Sequence, residues 1–378
     1  MLSLAALAVV RFGLTLSLGP EYDSNANRAE VVANAESPDH PTGSFLLRTT
    51  GNAHLLWRDG INLLRISAGI GGKLYFDPAV FDQDVLALQL SAEDRVRVAR
   101  FLHLALVGDY YDAWQLDVAP YRHFDFRSGA ALARIYFLDP LGEVALSGGY
   151  RGFQYKPDPY FDFQAAQATA YAIARTHFGA NDDHELDVAA TYHLERRYFS
   201  GVVEQFQQNN EIDPMLRCAY GHEILDRCLV AGSELRADWF HEMGAELTYV
   251  GPLLAAVGYG IQLNQSNSFG QSLLRQLITV KIAYRLPWNL YATVKAQLYI
   301  TKYLDPVLLD RVVNTQTFIT IEDENRNAVI VDLERPFVGS GLALNARYSV
   351  YTNELSASPV SFLRQVVYLG LTYRVGAR

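Results

Sequence analysis

Apolar and polar residues alternate with a period of two along most of this chain. Over residues 338–352 the even positions read Val, Ser, Leu, Leu, Ala, Tyr, Val, Thr. The interleaved odd positions, 339–353, read Gly, Gly, Ala, Asn, Arg, Ser, Tyr, Asn. Side chains of a strand point alternately to opposite faces, so this split suits a strand with lipid on one side and water on the other. It recurs with Val10, Phe12, Leu14, Leu16 and Leu18 against Arg11, Thr15 and Ser17. Leu186, Val188, Ala190, Tyr192 and Leu194 oppose Glu185, Asp187, Thr191, His193, Glu195 and Arg197. Leu274, Ile278, Val280, Ile282 and Tyr284 oppose Arg275, Thr279, Lys281 and Arg285, and Leu290, Val294, Leu298 and Ile300 oppose Thr293, Lys295, Gln297 and Thr301. A soluble sandwich also alternates, but its strands run about 5–6 residues and its outward face is charged. Here the segments are longer and the charges gather on one face. The fold class expected is all-β, a transmembrane antiparallel β-barrel.

Turn chemistry sets the strand number. Short breakers fall at 59–60, 91–94, 139–142, 179–183, 251–252, 287–289 and 334–336. Longer polar connections fall between them at 23–43, 77–83, 112–122, 156–159, 201–232, 266–270, 305–325 and 353–359. Alternating short turns and long loops, with both termini on the short-turn side, predict about 16 strands. Residues 315–322 and 327–333 flank Asp323-Glu324-Asn325-Arg326 and read as a hairpin standing above the membrane. If both halves entered the wall the parity would break, so 14 or 18 strands stay open. Arg100, Arg134 and Arg175 fall on lipid-facing positions, where a midplane charge costs about 2–4 kcal/mol. A bulge, a strand end or a shifted register is expected at each.

Composition narrows the class. Of 378 residues, 50% are hydrophobic and only 19% charged, below the roughly 25% usual for soluble chains. Beyond the N-terminus no run of about 20 apolar residues occurs, which excludes transmembrane helices. A net charge of −9 without a basic stripe argues against nucleic acid as a partner. Residues 1–9 read as a remnant of a signal peptide, although no positive region precedes the apolar stretch. The barrel then spans the whole chain as one domain.

After the first strand comes Gly19-Pro20-Glu21-Tyr22-Asp23-Ser24-Asn25-Ala26-Asn27. It resembles the Tyr-Asp-Ser-Asn signature at the same place in families of outer-membrane β-barrel porins, which include barrels associated with exopolysaccharide export in myxobacteria. The last strand, Tyr368-Leu369-Gly370-Leu371-Thr372-Tyr373-Arg374-Val375, resembles the C-terminal signal read by the barrel-assembly machinery. It departs in having Val375 where an aromatic is usual, and in the extra Gly376-Ala377-Arg378. The resemblance implies the bacterial outer membrane, surrounding lipid and lipopolysaccharide, the assembly machinery as a partner, and a link to polysaccharide export.

Chemical motifs are sparse. His184-Glu185, His222-Glu223 and His241-Glu242 each lack a second His four residues after the first, so metal-peptidase spacing is absent. Gly258-Tyr259-Gly260 lacks the third glycine of a dinucleotide site, and no phosphate loop occurs, so no cofactor is expected. His193, Glu195 and Asp187 share one face and form the best local hydrolase-like set; a mixed-charge lining produces the same set and outweighs it. The basic side chains expected to face inward are Arg11, Arg48, Arg65, Lys73, Arg95, Arg97, Arg151, Arg275, Lys281, Lys295, Arg347 and Arg364. The acidic ones are Glu143, Glu185, Asp187, Glu195, Asp238, Glu242, Glu246 and Asp332. These charges either line water or close the interior as cross-strand ion pairs.

Aromatic doublets such as Tyr75-Phe76, Tyr110-Tyr111, Tyr136-Phe137, Tyr198-Phe199 and Trp239-Phe240 are expected in the interfacial girdles. Tyr291, Tyr299 and Tyr303 share inward parity and would suit a sugar-stacking slide. Two functions are consistent with the sequence. One is a conduit for hydrophilic solutes. The other is a closed barrel that anchors an envelope-spanning motility or secretion complex and meets periplasmic or other outer-membrane partners.

The two cysteines, Cys218 and Cys228, lie within one expected loop and suit a disulfide in an oxidising compartment, with two thiols as the alternative. Mass spectrometry of a non-reduced digest should recover the linked peptides, and reduction should loosen the loop without melting the wall. Two free thiols would refute the bridge.

Overall fold

An open sheet in lipid would leave edge N–H and C=O groups unpaired, so strands of this pattern must close on themselves. In the computed structural model they do. It describes residues 9–27, 31–32, 40–116, 125–156, 158–179, 183–208, 227–304, 327–353 and 360–376. The wall begins with β1 (Val9–Asp23), β2 (Ser44–Asp59), β3 (Asn62–Tyr75), β4 (Val85–Arg97), β5 (Leu102–Gln115) and β6 (Phe126–Asp139). It continues through β7 (Gly142–Tyr155), β8 (Phe163–Phe178), β9 (His184–Gln208), β10 (Arg227–Val250) and β11 (Leu253–Ser266). It ends with β12 (Leu273–Leu286), β13 (Leu290–Tyr303), β14 (Asn327–Pro336), β15 (Leu342–Thr352) and β16 (Leu363–Gly376). Each strand pairs antiparallel with the next, and β16 returns to β1, closing a sixteen-stranded barrel. Two short segments, Val31–Val32 and Val360–Ser361, pair beside the seam.

Directly opposed residues share a face, so one parity propagates round the wall. The outer face carries exposed Leu16, Leu106, Leu146, Val257 and Leu371, a surface suited to lipid and costly in water. Tyr259 donates its hydroxyl to Gln276 at 2.8 Å and Tyr348 to Gln365 at 3.1 Å, and Tyr150 bonds Gln164 in the same way. In all three pairs the glutamine lies nearer the long-loop end of the barrel. These phenols reach up to a polar boundary and mark that edge of the apolar belt. The short turns lie at the opposite end with Val9 and Gly376.

Several expectations are corrected. Residues 91–94 are strand, not turn: Ser91 and Glu93 face inward, and Glu93 accepts bonds from Arg95 Nε (2.8 Å) and Tyr136 Oη (2.9 Å). The turn follows at 98–101 and holds Arg100. Residues 334–336 likewise stay in β14, and the chain reverses at 337–341, where Gly339 and Gly341 supply positive φ. Residues 112–115 belong to β5, and 327–333 form wall strand; 315–322 lie outside the described residues. Much of the expected 201–232 loop is strand, because β9 and β10 run 25 and 24 residues. Above the bilayer a strand has no lipid face, so its sequence loses the apolar half of the alternation and reads as loop. Arg134 and Arg175 face inward, opposite Ala105 and Asp187. Cys218 lies outside the described residues, as does the side chain of Cys228.

The seam has its own fastening. Asp23 and Arg364 are fully buried; Arg364 Nε donates to both carboxylate oxygens at 2.8 and 2.9 Å, its Nη2 donates to Oδ2 at 2.5 Å, and Tyr75 Oη adds a third donor at 3.0 Å. Ser24 exchanges two bonds with Gln365, N to O at 2.9 Å and Oγ from N at 2.8 Å. Asn25 Nδ2 donates to the Leu363 carbonyl at 3.3 Å. The Asp-Ser-Asn segment therefore carries β1 past its end onto the first residues of β16. Breaking a buried pair by removing one charge costs about 3–5 kcal/mol. Asp23→Asn should lower the unfolding temperature in a heat-modifiable gel-mobility assay, and Ser24→Ala should do so less. Unchanged unfolding of Asp23→Asn would deny the clasp.

Candidate functional site

The interior is tiered. Toward the short turns the inner side chains are exposed: Arg65, Glu246, Arg175, His54, Lys281 and Lys295. Around mid-height small residues occupy the inner wall, including Gly69, Gly149, Ala189, Gly244, Gly258 and Gly260. Small residues facing a barrel of this width leave volume that wall side chains do not fill, and polar walls make that volume wet.

Toward the loops the inner face is buried and ion-paired. Glu195 is fully buried and accepts from Arg197 Nε at 2.6 Å and Arg151 Nη1 at 3.0 Å, with His193 Nε2 at 3.0 Å. Asp238 accepts from Arg236 at 2.6 and 3.1 Å and from Asn264 Nδ2 at 3.0 Å. The arginines lie on rings: Arg197 is 4.0 Å from the Phe240 centroid, and Arg236 is 4.0 Å from that of Phe199. Beside them Tyr111, Phe126, Phe153, Phe163 and Phe199 pack in sequence across β5 to β9, with centroids 5.2, 5.5, 5.1 and 5.1 Å apart. Burying these rings stabilises the arc, and each ring fixes its neighbour's orientation. Near the seam Glu21 accepts from Arg48 Nη1 at 2.6 Å with Lys73 Nζ at 3.8 Å, and lower on the wall Arg347 Nε donates to Asp332 at 2.5 Å.

The residues singled out from the sequence divide between the tiers. Arg48, Lys73, Glu195 and Arg275 sit in the loop-side tier, Arg275 donating to Thr301 Oγ1 at 3.1 Å. Arg11, Arg65, Glu185, Asp187, Glu246, Lys281 and Lys295 lie toward the turns. His193 and Glu242, directly opposed, and half-buried Arg347 stand between them. Of the hydrolase-like set, His193 and Glu195 stay bonded at 3.0 Å, with Thr169 Oγ1 on the other ring nitrogen at 2.9 Å, and Asp187 stands apart, facing Arg175 at 3.7 Å. The strand N–H groups near Thr169 and His193 belong to the ladder, which leaves no backbone donors for an oxyanion.

Sequence reading missed Glu21 and Asp23, which were assigned to the loop although they continue the inward parity of Arg11. It also missed the inner aromatic arc. The doublets split, with Tyr75, Tyr111, Tyr136, Phe199 and Phe240 facing in and their neighbours out. Parity within each doublet was the available signal. Of the supposed slide, Tyr299 is buried beside Arg275 at 5.8 Å while Tyr291 is exposed near Arg285 at 6.0 Å, on different tiers.

No family model and no curated protein matches the chain. Among solved structures it is similar to a BenF-like porin from Pseudomonas fluorescens Pf-5, at 9% identity and a TM-score of 0.48 over 97% of this chain and 99% of that one. It is also similar to Pseudomonas aeruginosa OpdK with vanillate, at 10% identity and 0.47 over 97% and 99%. A bacterial polysaccharide outer membrane secretin aligns at 9% identity and 0.41 over 97% and 98%.

The tiers predict a labelling pattern. In a cysteine-free background, Lys281→Cys and Lys295→Cys should react quickly with a membrane-impermeant thiol reagent, Arg275→Cys slowly and Leu298→Cys not at all. Labelling of Leu298→Cys without Lys295→Cys would reverse the assigned faces.

Proposed function

We propose that this chain is a passive pore for hydrophilic solutes in the bacterial outer membrane, with a preference for anions. One observation carries the reading: Lys281 and Lys295 are directly opposed on β12 and β13, both exposed on the inner face, and among the described residues no carboxylate forms an ion pair with either, Asp332, diagonal to Lys295, being bonded to Arg347. Like charges directly opposite each other destabilise a strand pair. In a filled interior two unpaired ammonium groups would cost several kcal/mol; in water, counter-anions screen them. Basic side chains also outnumber acidic ones at the inward positions, although the whole chain carries −9. Fixed charge sets the local ion concentration within about 8 Å in physiological salt, so such a lining enriches anions.

The loop-side tier, where charges and rings are packed, is the level at which solutes would be selected. Short turns would face the periplasm and long loops the exterior, in the orientation usual for such barrels. The Tyr-Asp-Ser-Asn resemblance supports secreted polysaccharide as a finer substrate class, which a gene deletion with measurement of surface polysaccharide would test. The closed-anchor reading draws on one specific observation, the burial of the networks around Glu195 and Glu21.

Bilayer recording separates the two. The wild-type pore should conduct with anion selectivity. Lys281→Gln with Lys295→Gln should move the reversal potential toward cations while stability holds or rises slightly, because a repulsion is removed. No conductance in wild type, with a lower melting temperature in the double variant, would overturn the pore and favour the anchor.

A further inference from the structure

Charge on the lipid side of a barrel is costly at the midplane, about 2–4 kcal/mol for arginine, and falls to ~0–1 near the interfaces. Most basic residues of this wall avoid that cost by facing inward. Arg196 does not. Its neighbours Glu195 and Arg197 face in, so Arg196 faces out, the first charge after the outward run Leu186, Val188, Ala190, Tyr192 and Leu194 on β9. It pairs in register with Ala166 on β8, two residues below Gln164, and with Trp239 on β10, which itself pairs with Gln265 on β11. Gln164 belongs to the Tyr–Gln boundary, so Arg196 sits at the loop-side edge of the apolar belt.

The surroundings of Arg196 hold its side chain without consuming its donors. The guanidinium lies 4.8 Å from the Trp239 centroid and 5.4 Å from that of Tyr198. Among the described residues no carboxylate is paired with it. Arg127, also outward and loop-side, is by contrast spent on Asp112 at 3.0 Å. His241 Nδ1 and Tyr192 Oη, 2.9 Å apart, add polar atoms on the same patch, and the His241 ring stacks 6.4 Å from Trp239. Aromatic faces orient a planar cation while its N–H edges stay available, the arrangement that suits a tetrahedral oxyanion. Below the patch, outward Ala166, Ala168, Ala170, Ala172 and Ala174 keep the β8 wall low beside the taller Leu194 and Tyr192, leaving room for a chain lying along it.

We infer that this outward patch, Arg196 with Trp239, Tyr198 and His241, binds the phosphate of an anionic glycolipid headgroup in the loop-side leaflet. An unpaired cation level with the headgroups, above an apolar trough, complements an anion that carries acyl chains. A protein partner would have to supply an acid at the same depth within lipid.

The test is native mass spectrometry of the full chain released from nanodiscs, with phosphorylated and dephosphorylated lipid A as the paired probes. Wild type should retain the phosphorylated form about tenfold better, the scale of one charge-assisted hydrogen bond. Arg196→Gln should lose that preference, and Arg196→Lys should recover only part of it, since an ammonium keeps the charge but not the flat fork. Trp239→Leu should weaken retention with the cation intact, which keeps the inference testable if Arg196→Gln fails to fold; heat-modifiable mobility checks each variant. Equal retention of both lipids by wild type, or a preference surviving in Arg196→Gln, would overturn the site. So would a patch occupied by a second copy of the chain, seen as an Arg196-dependent dimer on cross-linking.

Discussion

Everything in this molecule follows from one constraint: inside lipid, a backbone N–H or C=O without a partner has no water to fall back on. A sheet meets it only by returning to its own first strand, and that last pairing joins residues more than three hundred positions apart. The closing pair is not left to backbone bonds. Asp23, with both oxygens spent on Arg364 and a further donor in Tyr75, fixes which strand meets which and at what register. A slip of one residue would turn every lipid-facing leucine of β16 toward water.

Closure then decides where charge can go. With the outer face given to lipid, nearly all ionic chemistry is confined to the interior, and the interior treats it in two ways. Where rings and ladders crowd together near the loops, buried carboxylates are held by arginine or lysine; Glu195 binds two arginines. Where glycine and alanine leave space nearer the turns, charges are exposed, some paired as Arg175 is with Asp187, and Lys281 can face Lys295. The same residue types therefore act as structural cement at one level and as a fixed field at another, and local packing separates the two roles.

The strand number and the two faces were legible because lipid imposes its requirement position by position. Leu186, Leu298 and Leu344 announce their side without any knowledge of neighbours. The breaker at 91–94 misled because Ser91, Glu93 and Asp94 make the kind of polar cluster that turns use, yet an inner wall accepts it equally well. The ion networks were beyond reach for another reason. Whether Glu195 meets Arg151 depends on two intervening registers and on height along the axis, and no spacing within one strand encodes either. Asp23 lay hidden at the point where strand grammar gives way to loop grammar.

One feature obeys the founding constraint by escaping it. β9 keeps its partner β8 only as far as Phe199, and β10 keeps β11 only from Asp238 downward, yet the two continue to pair with each other to Gln208 and Arg227. Shifts in register between Tyr198 and Glu204 mark where the ribbon leaves the wall, and Gly201 there leaves the space that Tyr160 occupies. Past that point each strand, among the described residues, pairs with one other strand alone, and side chains bond part of its outer margin, Tyr160 Oη donating to the Val202 carbonyl and Asn267 Nδ2 to that of Leu235 at 3.1 Å. A barrel that tolerates no open margin in the bilayer thus raises a two-stranded ribbon beyond it, where side chains can stand in for a strand at the margins and the sheet can end.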